Sequence, residues 1–161
     1  EVLEPGTYFL VVDGTDATSY GQAQINLNVE DLSRLNSECQ AAPLLRQGTQ
    51  MVGTTQGASD RFSATCGGAG SSPDAIYRLR VTRRSTVRIS SEQTDFDGVI
   101  SLRTDCSDAA TEVACSDDAG DNRHSLVDTF LEPGTYYVIV DGFGNNQQGQ
   151  FTLDVFMTRG R

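Results

Sequence analysis

The chain has 161 residues and a formal net charge of −10, with 16 glycines, few aromatics and no tryptophan, which allows one domain of modest core or one domain plus a fragment. All 12 basic residues are arginine, and the acidic balance excludes a general nucleic-acid role, which needs clustered positive charge on a favourable background. No signal peptide and no apolar run of spanning length is present, so no membrane span is expected.

From the N-terminus, Leu3-Glu4-Pro5-Gly6-Thr7-Tyr8 reads as a tight turn feeding a strand. Proline presets φ at the first central position, and glycine tolerates the positive φ that a type II turn needs next. Aromatic and β-branched residues run to Val12, and Asp13-Gly14 turns the chain again. Ala23, Ile25, Leu27 and Val29 alternate with Gln24, Asn26 and Asn28, so residues 7–12 and 22–29 are expected to form a hairpin with one buried face. Residues 30–37 are polar and read as a linker. A short strand is expected over Met51-Val52-Gly53-Thr54-Thr55, followed by a turn over 57–60 and a glycine- and serine-rich loop to Pro73.

The clearest alternation follows. Tyr77, Leu79 and Val81 are expected to face a core with Arg78 and Arg80 outward, and after a turn at 83–85 Val87 and Ile89 point inward with Arg88 outward. Residues 99–103 and 111–116 read as a strand pair, and 126–131 as a strand that leads into Leu131-Glu132-Pro133-Gly134-Thr135-Tyr136-Tyr137. This last stretch repeats the opening one. Residues 3–29 and 131–157 share 11 identities in 27 positions at an offset of 128, too long for a solenoid unit and suited to one small domain. The chain therefore divides into a closing hairpin of a preceding module copy (1–29), a linker (30–37) and a complete module (38–161). Many short strands without a long helical stretch give an all-β class, an antiparallel β-sandwich or jelly roll.

Four cysteines, Cys39, Cys66, Cys106 and Cys115, lack zinc-ligand spacing, and the chain has one histidine. They allow three disulfide pairings, of which Cys39–Cys66 and Cys106–Cys115 is favoured. Two disulfides imply an oxidising compartment, hence a secreted or cell-surface protein.

The run Phe96-Asp97-Gly98-Val99-Ile100, then Cys115-Ser116-Asp117-Asp118-Ala119-Gly120, then the element beginning at Leu131, closing with Gly149-Gln150-Phe151-Thr152-Leu153, resembles the bacterial pre-peptidase C-terminal domain. The likeness extends over about residues 38–157 and is nearest to cysteine-containing tandem versions in secreted proteins of myxobacteria and their relatives. It implies a non-catalytic β-sandwich appended to exported enzymes or surface proteins. Relatives include collagen-binding modules of collagenases, some of which bind calcium.

Two surface constellations stand out. Asp95 and Asp97 precede the strand at 99–103, Asp117 and Asp118 follow the one at 111–116, and Asp121 lies further along the same loop. If those strands pair, their open end gathers hard oxygen ligands of the kind Ca²⁺ takes, six to eight at flexible geometry; the alternative is a solvated acidic loop capping strand ends. Arg78, Arg80, Arg83, Arg84 and Arg88 form the second group, with Arg88 expected near Arg78 and Arg80 across a hairpin. That row suits an acidic polymer or a neighbouring copy, or else is the solvated face of a sheet. His124 sits in a polar loop without a Gly-x-Ser-x-Gly elbow, so no catalytic assignment is made. The expected function is a non-catalytic extracellular binding or accessory module from a tandem array. The second reading is a structural subunit of a filament or surface layer, built by strand or hairpin addition between modules.

Overall fold

A computed structural model describes residues 6–16, 18–25, 27, 32–68, 70–91, 94–119 and 123–160. The elements are α1 (Leu32–Ala41), β1 (Leu44–Leu45), β2 (Met51–Thr54), β3 (Ala75–Val81), β4 (Ser85–Ser90), β5 (Gly98–Arg103), β6 (Glu112–Ser116), β7 (Leu126–Leu131), β8 (Gly134–Gly142) and β9 (Gln150–Arg159). They form a sandwich of a five-stranded sheet, β1-β3-β8-β5-β6, and a four-stranded sheet, β2-β9-β4-β7. All pairings are antiparallel except β1 with β3.

Alternation along the strands explains the core. Leu79, Val87, Ile89, Leu102, Val138 and Leu153 are fully buried, contributed by both sheets to one cluster between them. Every residue of β5 is buried. Its inner face meets the other sheet, while the segment 62–67 covers its outer face: Gly67 packs beside Val99, and the Arg103 guanidinium lies over the Phe62 ring. The five-stranded sheet is thus covered on both sides, with Cys39, Phe62, Cys106 and Ile139 forming a second, smaller cluster.

Helix α1 replaces most of the expected linker. Leu35 and Cys39 lie four residues apart on one helical face and pack toward Ile76, Tyr137 and Ile139. Of the polar residues that suggested a linker, Arg34, Asn36 and Ser37 are exposed, and Arg34 pairs with Glu38 at i, i+4. No helix among the described residues is long and apolar enough to cross a membrane.

The disulfides join Cys39 to Cys106 and Cys66 to Cys115, with Cα separations of 5.9 and 6.0 Å, so the expected local pairing is corrected. α1 delivers Cys39 to the chain just beyond β5, and the covering segment delivers Cys66 to β6. Each bond staples a covering element to the sheet rather than closing a local loop.

Two further expectations change. Gly134 does not take a positive φ; it is the first residue of β8, paired with Val81, and the Tyr136 ring packs over it. Positive φ falls instead at Gly144 and Asn146, in the loop between β8 and β9. That loop passes from one sheet to the other, so β8 and β9 do not pair with each other. Among the described residues of the first repeat, neither 7–12 nor 22–25 is a strand. An isolated strand pair without a sheet is marginal in water, and the counterparts of these segments draw their hydrogen bonds from β3, β5, β2 and β4.

Candidate functional site

β5 begins at Gly98 and β6 ends at Ser116, and the register pairs Ile100 with Ser116. The residue before one strand and those after the other are therefore neighbours at one end of the sandwich. Asp97, Asp117 and Asp118 each present a carboxylate oxygen there, all within 4.8 Å of one another. The backbone that carries them is anchored. The Asp97 carbonyl accepts from Phe143 N at 2.8 Å, its amide donates to Gln147 Oε1 at 3.2 Å, and Ala119 N donates to His124 O at 2.7 Å.

One oxygen each of Asp97 and Asp117 is buried without a hydrogen-bond partner. Burial foremost, then the charges of Asp118 and Asp97, pushes the Asp117 carboxyl above its ordinary range. Three carboxylates this close repel one another unless a proton or a cation joins them. The donor set is all oxygen, as Ca²⁺ prefers. Asp95 stands apart: it is exposed, and its amide is spent on Gln150 O at 3.0 Å. Asp121 lies outside the described residues.

The arginine row is divided. β3 and β4 belong to different sheets, so Arg88 lies on the opposite outer face from Arg78 and Arg80. Arg78 is half-buried, its Nε donating to Ala42 O at 3.0 Å beside α1. Arg80 is exposed. Arg83 lines a shallow depression of about 270 Å³ with Gln47, Thr82, Ser85, Met157 and Arg159. Arg84 pairs with Glu132 at 2.7 Å and lies over the Phe130 ring, and Arg88 pairs with Asp128 at 2.6 Å. A second depression, of about 210 Å³, lies beside the Cys39–Cys106 bond. Both are smaller than the usual enclosed site for a small organic ligand.

Near His124, hydroxyls serve backbone groups. Ser125 Oγ donates to Gly98 O, Ser91 Oγ accepts from Ser125 N, and Ser116 Oγ accepts from Leu126 N. His124 Nδ1 lies 3.3 Å from the Ser91 carbonyl oxygen. These contacts fix a strand crossing and assemble no nucleophile–base pair.

Sequence reasoning missed a buried charged group on the outer face of the five-stranded sheet. Asp74 Oδ2 accepts from the amides of Arg61 and Phe62 at 2.7 and 2.8 Å, holding the covering segment down. Burial pushes its pKa up to about 7, against those two hydrogen bonds. Burial likewise pushes Asp141 up to about 6, and Arg103, buried with its guanidinium over the Phe62 ring, is lowered by its own desolvation. The sequence held no signal for this group, because its members come from a loop and two strands more than 20 residues apart.

No protein-family model matches the chain, and no curated protein matches it in sequence. Among solved structures, the pre-peptidase C-terminal domain of collagenase from Bacillus anthracis superposes with a TM-score of 0.52 at 20% identity, covering 71% of this chain and 94% of that one. The chain therefore carries the two-sheet fold of a pre-peptidase C-terminal domain.

Proposed function

We propose that this chain is a non-catalytic extracellular module from a tandem array, which serves a secreted or surface protein by binding an insoluble polymer or a cell-surface component. The observation that carries the reading is the fold, which in the solved neighbour is a C-terminal domain of a collagenase. Two disulfides that staple the covering elements to the sheet suit an oxidising compartment. The two depressions described above are small and open, so recognition of an extended ligand by a surface fits better than enclosure of a small one. Co-sedimentation with fibrillar collagen and with purified cell wall tests this. Retention by either supports it; no retention by either, under calcium and under chelator, refutes the binding role.

A calcium ion belongs to the same proposal, held by Asp97, Asp117 and Asp118. Its support is the partnerless buried oxygens of Asp97 and Asp117 beside a third carboxylate. The second reading, a filament or surface-layer subunit, draws on the exposed apolar repeat at residues 8–12. Electron microscopy of the concentrated chain separates the two: ordered polymers favour the subunit, dispersed particles the binding module.

A further inference from the structure

We infer that residues 3–27 are the two central strands of another module of this fold, and that this recipient module carries a side chain where the present one has Gly53. The inference rests on the tandem reading above and adds what the recipient must look like.

β8 is flanked by β3 and β5, and β9 by β2 and β4, so each runs through the middle of its sheet. Their inward residues Tyr136, Val138, Val140, Phe151, Leu153 and Val155 are buried between the sheets. One repeat earlier stand Tyr8, Leu10, Val12, Ala23, Ile25 and Leu27, apolar or aromatic at every position. Even the volume is balanced along the first strand, since Leu10 gains over Val138 the methylene that Val11 loses against Ile139. Yet these residues lack a core of their own here: Leu10 is 68% exposed, Val12 58% and Leu27 79%.

The start of the turn between the two segments shares two contacts with its counterpart. Gly14 N donates to Asp13 Oδ1 at 2.8 Å, as Gly142 N does to Asp141 Oδ1 at 2.7 Å. A Cβ on Gly14 would collide with the carbonyl oxygen and Cβ of Ser19, and one on Gly142 with the same atoms of Gln147. Ser19 and Gln147 are themselves one repeat apart. The Asp-Gly contact at the start of the crossing thus forms locally, while the flanking segments form no strand among the described residues.

One position breaks the equivalence. Phe151 is 1% exposed and meets Tyr77 edge-on, ring centroids 6.0 Å apart. Its ring and the Tyr77 hydroxyl together occupy the side-chain space of Gly53 on β2, where a Cβ would collide with Tyr77 Oη and stand 2.5 Å from Phe151 Cζ. The first repeat has Ala23 there. A recipient with glycine opposite that alanine would hold a ring-sized void, which packed interiors do not keep. A larger apolar residue at the Gly53 position fills it, beside a ring that lacks the Tyr77 hydroxyl.

The test uses the full chain with residues 131–157 replaced by the sequence of 3–29, with and without Gly53→Leu/Tyr77→Phe, beside the unchanged chain carrying Gly53→Leu/Tyr77→Phe. Thermal melting is followed by far-ultraviolet circular dichroism. The chimera is expected to fold and to melt about 10–20 °C below the native chain, the scale of a phenylalanine-to-alanine cavity. The double substitution should raise the melting temperature of the chimera and lower that of the unchanged chain, where Phe151 still blocks position 53. If it lowers both, the claim about the recipient is overturned and the tandem reading stands. A further chimera that retains Phe151 removes the void; if it shows no cooperative transition, the strand equivalence falls, and the tandem reading with it.

Discussion

Asp74 gives the module a stability that should fall as pH rises. Its side chain ties down the segment over the sheet and, at 6% exposure, its pKa is pushed up to about 7 from 3.8. Between pH 4 and pH 7 the folded protein holds a proton that the unfolded chain has released, so each added pH unit favours unfolding. One unit is worth about 1.4 kcal/mol, which makes the loss over this range up to about 4 kcal/mol, or about 10–15 °C in melting temperature. The stability is fully present below pH 4 and is lost as pH rises through 7. Asp74→Asn separates this effect from the general relief of negative charge on acidification. Both amides use the same oxygen, Oδ2, so the asparagine carbonyl can replace it without titrating. Thermal melts from pH 4.5 to 8 should show the variant close to the native chain at the acid end and more stable than it at pH 8. A native melting temperature that stays flat or rises with pH, or a variant whose slope parallels the native one, would refute the reasoning.

Three other outcomes are expected. Calcium at millimolar concentration should raise the melting temperature of the native chain and leave Asp97→Asn/Asp117→Asn unmoved; equal shifts in both proteins would place the effect elsewhere. Peptide mapping without reduction should recover Cys39 with Cys106 and Cys66 with Cys115, and Cys66→Ser/Cys115→Ser should cost about 4 kcal/mol, the scale for closing a loop of 49 residues. Arg88→Ala should cost no more than about 1 kcal/mol by chemical denaturation, because its pair with Asp128 is exposed, and a larger loss would mean that the outer face is covered.

The strands were legible because their signal is local. Tyr77, Leu79 and Val81 alternate with arginines, and Val87 and Ile89 do the same, so inward faces follow from period-2 spacing alone. The pairing of β5 with β6 was legible as well, and what failed were the partnerships of strands that part into different sheets. Adjacent alternating strands suggest a hairpin, yet β3 and β4 part into different sheets, which separates Arg88 from Arg78 and Arg80. The same crossing separates β8 from β9. α1 escaped notice because only one face of it is apolar and Leu35 and Cys39 are sparse among polar residues. The cysteine pairing depended on that helix. Of the acidic residues, Asp97, Asp117 and Asp118 converge because strand pairing alone places them, whereas Asp95 lies two residues back from Asp97, where the chain has turned away.

Hydrogen exchange read by mass spectrometry, peptide by peptide, tests the central claim that the chain is one complete module preceded by strands that belong to another. Peptides spanning 8–12 and 136–140 have nearly the same composition and differ in sheet partners. The account predicts that amides of 6–27 exchange within seconds while those of β8 and β9 stay protected for hours, with the change falling at α1. Equal protection of both repeats in the isolated chain would contradict it, since the first repeat would then have found its sheet within this molecule.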